Sequence, residues 1–404
     1  MAEKKLTKNL IFLMYFVTMT ILLLNCTDNL PITFQLRKIK YLFIALLIAD
    51  FIFSGDYLVS KVSAYVTIGF AVHALVFCLL FTNQRVAMDT YLHLREMIIY
   101  LVMLFFLVNA VERYHALTLF TELTAVSLMV FLLWTGFTHL RDFVAPRYWL
   151  LVFLRDARVR HDFGMIQYNY AGFFCAVGLI IFYAVYRLHR RAGSVTYGEA
   201  AAFFAMELYT GAILLSTGSR GSILMAAVFF ATVFVRSRTF RELGRRRYVV
   251  VLLMLFFAGL ILYANRSFLN AQGTRLENFT VNWPFFLEEG RYFTGMGYME
   301  SSGFIDQSYG YATWPVDIYY LYIFFSTGIL GFLMVMAILL FLFVRLAKDH
   351  SWFIYNISFP LYLASLVSAL GQVNLFTYRY IAALFTAVLF LAPFGIEGRR
   401  EAGR

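Results

Sequence analysis

Residues Leu215-Ser216-Thr217-Gly218-Ser219-Arg220-Gly221-Ser222 form a short Gly/Ser run with one arginine, set between two apolar stretches. Small residues leave backbone amides accessible, and successive amides at a helix N-terminus beside a guanidinium make an anion site. The chemistry served would be binding or stabilising phosphate or carboxylate charge. It is not a Walker loop, because no Gly-Lys-Ser/Thr follows. A plainer reading stands beside it: a tight turn whose arginine reaches for lipid headgroups.

Further candidates follow downstream. Gly273-Thr274-Arg275 precedes Pro284 and Gly295-Met296-Gly297, and Pro315 leads into Asp317-Ile318-Tyr319-Tyr320-Leu321. The helix starting there carries Ser326-Thr327-Gly328-Ile329-Leu330-Gly331, and upstream Gln167-Tyr168-Asn169-Tyr170-Ala171-Gly172 opens another apolar stretch. Asp317 reads either as a carboxylate that accepts a proton from a hydroxyl or as a helix N-cap shortly after a proline. Arg275 faces an anionic group or pairs with Glu277, Glu288 or Glu289. Arg266 and Arg291 read as solvated or headgroup-facing, and Gly295 and Gly297 as turn residues rather than a dinucleotide fingerprint.

The elements that must position these residues are set by composition. Of 404 residues, 61% are hydrophobic and only 14% charged, with a mean hydropathy of +0.73, against roughly 25% charged in soluble domains. The apolar residues fall in continuous blocks of helix length for a bilayer, which predicts an all-α, polytopic integral membrane protein. Alternation at period two is missing, so a β-barrel is excluded, as are soluble enzymes and soluble DNA-binding proteins. Spans are expected at about 10–27, 39–54, 62–81, 97–111, 116–138, 163–186, 197–216, 222–235, 248–263, 318–344, 354–370 and 379–394. Lys4, Lys5 and Lys8 ahead of an apolar run outline a signal peptide, but with no small-x-small cleavage site the run reads as the first span.

The net charge is +11, with 27 Arg against 7 Lys. Either arginines serve phosphate or carboxylate ligands, or a GC-rich genome writes Arg for Lys. Cys26, Cys78 and Cys175 have no metal-ligand or disulfide spacing. Basic clusters at Arg187/Arg190/Arg191, Arg236 to Arg247, Arg345/Lys348 and Arg399/Arg400/Arg404 fall on one face under simple alternation, which the positive-inside rule makes cytoplasmic. Both termini then lie inside. Arg37, Lys38 and Lys40 fall outside, against the rule. Two outward segments are not apolar: 141–162, with five Arg, reads as an interfacial amphipathic helix. The other, 264–316, is rich in Trp, Tyr and Phe and reads as a folded cap. Asp50, His73, Glu122, Glu199 and Glu207 fall inside spans, where ionisable groups are rare and usually paired or functional. Glu207 reads as a structural partner, for instance of Arg220, as a protonated, hydrogen-bonded carboxyl, or as part of an ion path.

This order of motifs resembles the O-antigen ligase and polymerase superfamily of bacterial polysaccharide assembly. The matching positions are Asn169, Thr217 to Gly221, Arg275, Gly295 to Gly297, Asp317 and Gly328 to Gly331, covering roughly 163–345. Ligases of this superfamily carry His-Asn where this chain has Asp317-Ile318, and an Asp there looks more like the polymerases. The resemblance implies a membrane glycosyltransferase of the GT-C-like class with about twelve transmembrane helices and a large extracytoplasmic loop between the ninth and tenth. It implies three parts: N-terminal helices 1–162, a core 163–345 including loop 264–316, and C-terminal helices with a tail, 346–404.

The implied activity is that of an inverting repeat-unit polymerase in the bacterial inner membrane, acting at its outer face on oligosaccharide linked to polyprenyl pyrophosphate. Asp317, Arg220 and Arg275 are then catalytic, and Asn169, Ser219, Arg266, Arg291 and Tyr320 bind substrate. No metal and no cofactor is implied. The partners are the lipid-linked donor and acceptor, membrane lipids and a chain-length regulator protein, without nucleic acid. Two rivals remain: an O-antigen ligase that transfers glycan to lipid A core, and a flippase or other transporter, for which the twelve spans and the intramembrane carboxylates speak but the long loop and the lack of related halves do not.

Overall fold

In hydrocarbon every backbone polar group needs an internal partner, so apolar blocks of this length must coil. They do so in the computed structural model, which describes residues 2–27, 38–54, 59–81, 87–145, 160–165, 167–242 and 318–402, with short pieces at 244, 283–284, 286–287, 290–298, 305–306 and 311–312. The helices are α1 (Ala2–Leu24), α2 (Ile39–Ser54), α3 (Lys61–Leu75, continued by a π-turn Val76–Leu80), α4 (Ala87–Arg113), α5 (Leu117–Thr138), α6 (Tyr168–Ala192), α7 (Tyr197–Thr217), α8 (Arg220–Arg236), α9 (Arg238–Glu242), α10 (Tyr319–Lys348), α11 (Phe359–Ser368, preceded by a π-turn Ile354–Ser358) and α12 (Ile381–Ala402). A helix stands in every expected span that is described, and span 248–263 lies outside the described residues. Among the described residues, seven helices are long and apolar enough to cross a membrane: those at Leu6–Leu24, Lys61–Leu80, Ala87–Arg113, Leu117–Thr138, Tyr168–Ala192, Tyr197–Thr217 and Tyr319–Lys348. The remainder of the 264–316 loop beyond its short pieces, and most of 141–162, also lie outside them; Leu140–Asp142 is one 3₁₀ turn.

Local sequence explains the ends. Thr196 and Glu199 form a reciprocal capping box at the start of α7, which accounts for Glu199 without any intramembrane role. Gly193 ends α6 in the left-handed region. Aromatic rings fill much of the space between helices, as where Phe131 of α5 meets Phe174 of α6, and small residues allow close approach elsewhere. Gly178 of α6 faces Leu132 of α5, whose Cδ1 would lie 3.1 Å from an added Cβ, and α6, flanked by α5, α7 and α8, is buried along most of its length. On the other side α12 packs on α4 and α3 and is buried from Ala382 to Ala392. Hydroxyl pairs tie α1 to α5: Tyr15 with Thr124 at 2.6 Å and Thr20 with Ser127 at 3.0 Å.

One end of the bundle gathers the close of α1, where Thr27 bridges Met165, the close of α5, where Val144 N donates to Ser216 Oγ, and the opening of α10, where Tyr319 N donates to Ala369 O. The opposite end gathers Arg187, Arg190, Arg191, Arg236 and Arg238 beside the segment that opens α11. Three of the five ionisable residues expected inside spans are engaged by neighbouring polar groups, and a fourth, His73, lies among aromatic rings. Asp50 accepts from Arg113 Nη1 at 2.9 Å and from the Tyr114 hydroxyl at 2.6 Å. Glu122 meets His189 Nε2 at 2.7 Å, Glu199 caps α7, and the His73 ring lies against Phe77 and near Tyr298. Glu207 makes no hydrogen bond or ion pair among the described residues, so the expected pairing with Arg220 is not formed. Lys40, one of the cations on the unexpected face, pairs with Glu96 of α4 at 3.0 Å.

Candidate functional site

The Gly/Ser run is the junction of α7 and α8. Gly218, left-handed at φ 61°, closes α7, Ser219 occupies the N-cap position of α8, and Arg220 is its first residue. The opening of α6 lies directly against this turn. A Cβ on Gly172 would stand 2.5 Å from Ser219 Cβ, and Ser219 Oγ donates to Asn169 Oδ1 at 3.2 Å. Asn169 and Ser219, two expected binding residues 50 positions apart, therefore meet. The terminal nitrogens of Arg220 are shielded from solvent, so its charge is held in a low-dielectric setting where a phosphate would feel it strongly.

A segment that sequence reasoning passed over as a short connection holds the site together. Residues 369–380, between α11 and α12, are irregular yet largely buried. Gln372 Nε2 donates to both Ser219 Oγ and Ser222 Oγ at 3.0 Å, and Asn374 Nδ2 donates to Ser368 Oγ at 2.8 Å. Tyr170 hydroxyl, next to Asn169, donates to Arg379 O at 2.9 Å. The Arg379 guanidinium lies 4.6 Å from the Tyr322 ring centre and donates to the Tyr322 hydroxyl at 3.2 Å.

From Tyr322 the polar contacts continue into α4. His93 Nδ1 is 3.4 Å from the Tyr322 hydroxyl and 3.1 Å from that of Tyr378. Its ring stacks on Tyr298 with centres 3.6 Å apart and planes within 7°. Burial raises the Tyr298 phenol well above its ordinary pKa, which keeps it a neutral hydroxyl, 3.5 Å from His73 Nδ1. His93 was missed because a lone histidine on an apolar helix carries no spacing signal. The signal that could have found 369–380 is the crowding of Gln372, Asn374, Thr377 and Arg379 into a connection between two apolar helices.

Tyr298 is brought there by Gly295-Met296-Gly297, which docks into a break in α10. Gly328 leaves the helix at φ 65°, ψ −168°. The helical bonds lost at the break are replaced one for one: Met296 N and Gly297 N donate to Phe325 O and Ser326 O at 2.8 and 3.0 Å, and Ile329 N and Leu330 N donate to Tyr292 O and Phe293 O at 2.8 and 3.2 Å. Trp283 and Phe286 pack on Phe324 just above.

The other expected residues fall as follows. Tyr320 donates its hydroxyl to Leu366 O at 2.9 Å, fastening α10 to α11. Arg291 donates to Phe81 O at 3.3 Å, closing the end of α3. Asp317, Arg275 and Arg266 lie outside the described residues; the N-cap position of α10 falls on Ile318, which makes no side-chain cap. Asn169, Ser219 and Arg220 thus share one cluster, while Arg291 and Tyr320 act in neighbouring backbone contacts. Compared with known proteins, the chain matches no family model and no curated protein.

Proposed function

We propose that the chain is a polysaccharide repeat-unit polymerase: an inverting glycosyltransferase that crosses the bacterial inner membrane about twelve times with both termini inside, and uses polyprenyl-pyrophosphate-linked oligosaccharide at the outer face. The observation that carries the reading is the meeting of motif elements far apart in sequence. Asn169 touches the Thr217–Ser222 turn, and Gly295–Gly297 docks into the break at Gly328, all at the end of the bundle away from the arginines. In this reading the acceptor hydroxyl loses its proton to Asp317 as its oxygen bonds to the anomeric carbon. The bond to pyrophosphate breaks on the opposite face, and Arg220 with Arg275 takes up the charge of the leaving group. The local pairing of Asp50, Glu122 and Glu199 weakens the case for a transporter, which keeps Glu207 in its support.

The test is reconstitution of the full chain in vesicles with a lipid-linked repeat unit. A ladder of products with release of polyprenyl pyrophosphate is expected. Transfer of a single glycan to a lipid A core acceptor without a ladder would replace the polymerase by a ligase, and no transfer of either kind would overturn the reading.

A further inference from the structure

The arginine end of the bundle holds a cavity of about 600 Å³ between the closing turns of α6 and α8 and the residues that open α11. Five guanidiniums line it, from Arg187, Arg190, Arg191, Arg236 and Arg238. Among the described residues only Arg238 pairs with a carboxylate, Glu242 at 2.6 Å. The wall opposite is aromatic. Arg191 lies 4.8 Å and Arg187 6.0 Å from the Trp352 ring centre. Arg236 sits between two rings, 4.0 Å from Tyr355 and 4.1 Å from Phe359, with Nη1 donating to Tyr355 O at 2.8 Å.

Two general effects would place arginines here without any ligand: the positive-inside rule and the negative pole at helix C-termini. Both are satisfied by charges that spread outward into water. Neither requires guanidiniums from two helices to converge on one concave space beside aromatic rings. A guanidinium stacked on a ring keeps its edge N–H groups pointing outward in a set direction, which suits two-point contact with a phosphate. The volume is that of a small-molecule site. Basic pockets between transmembrane helices at the cytoplasmic surface suit phosphorylated lipid headgroups.

We propose that this cavity is a phosphate-binding site that takes a headgroup carrying two phosphates, held by Arg187 and Arg191 on one side and Arg236 on the other. The site needs nothing from the glycosyl chemistry at the far end of the bundle. Its ligand is either the headgroup of an anionic membrane lipid or a soluble diphosphate, and the two sources separate by experiment.

The full-length protein is placed in phosphatidylcholine nanodiscs, alone, with a minor fraction of diphosphatidylglycerol, or with inorganic pyrophosphate in the buffer. Melting temperature and hydrogen exchange are followed. Binding raises the melting temperature and slows exchange at 186–192 and 352–356. In the double variant Arg187→Gln/Arg191→Gln the apparent affinity falls about thirtyfold, two surface charges' worth, with the melting temperature in pure phosphatidylcholine kept. A response to the lipid alone identifies the headgroup as ligand, and a response to pyrophosphate as well identifies the soluble diphosphate. The exchange measurement on the unmodified protein needs no variant to fold. No response to either probe, protection confined to other segments, or an unchanged affinity in the folded double variant overturns the proposal.

Discussion

Gly295 and Gly328 exclude side chains from one another. A Cβ on Gly295 would stand 2.3 Å from Ser326 O, and one on Gly328 would stand 2.5 Å from Phe293 C, with both residues at positive φ. The loop backbone and the broken helix are therefore as close as two chains can run. Alanine at either position meets left-handed strain of about 1–2 kcal/mol and overpacking of about 1–3 kcal/mol. Gly193, also left-handed but with nothing within 4 Å of a built Cβ, isolates the first effect. Gly295→Ala and Gly328→Ala should lower the melting temperature clearly more than Gly193→Ala. Equal melting of all three would mean that the loop does not occupy the break.

Gln372 is the bridge between the α11–α12 connection and the α7–α8 turn, with both of its donor bonds made to buried serine hydroxyls. Gln372→Ala removes one partner from each hydroxyl, at about 0.5–1.5 kcal/mol per bond, while Ser219 keeps Asn169 and the two serines keep each other. The expected outcome is a destabilised protein with weakened polymer formation, and Gln372→Glu, which exchanges the donor for a buried charge, should fare worse. A Gln372→Ala protein with normal melting and normal activity would take the connection out of the site.

Arg220 opens α8 beside Ser219, with its terminal nitrogens shielded. Arg220→Ala is expected to abolish polymer while the protein still inserts, and Arg275→Ala to do the same. Lysine at either position should retain part of the activity, since charge remains and two-point geometry is lost. Full-length polymer from a verified Arg220→Ala strain refutes its role.

Asp317 precedes a helix whose N-cap position falls on Ile318, and substitution separates the two readings of this carboxylate. Asn remains a good capping residue but takes no proton, and loss of a general base lowers rates by typically about 10² to 10⁴. Asp317→Asn should melt like the unmodified protein and be nearly inactive, with Asp317→Ser equally inactive. Near-normal turnover by Asp317→Asn on lipid-linked repeat units would move the base elsewhere.

Topology has its own check. Reporters fused at Gln272 and at Lys348 should read periplasmic and cytoplasmic respectively, because the arginine clusters flank the loop on its other side. Cytoplasmic activity at Gln272 would sink both the orientation and the chemistry built on it.

How far the sequence carried the fold depends on what each residue contacts. Hydropathy in long blocks is a local signal, and α4, α6 and α10 follow from it directly. The meeting of Asn169 with Ser219 was legible only as a shared motif, since their contact spans 50 residues. The 369–380 connection was legible only as a crowding of polar residues between two apolar helices: Gln372 and Arg379 find their partners on α8 and α10 and at the turn before α8, and nothing adjacent in the chain announces which partners those are. The break at Gly328 escaped for a related reason. A helical glycine inside an apolar run looks like a packing residue, and only the docked Gly295 segment reveals it as a gap.

That gap bears on how the protein is made. A helix with open amides and carbonyls would be costly to leave unsatisfied away from water, yet residues 292–297, which fill it, leave the ribosome before 325–330 do. The splint is thus already synthesised when the fracture emerges, and its docking needs a closure of only about 30 residues, a span whose entropic cost grows slowly with length. Reordering the chain so that 292–297 were translated last would leave α10 fractured through most of its biogenesis, exposed to the cell's quality control for that whole interval.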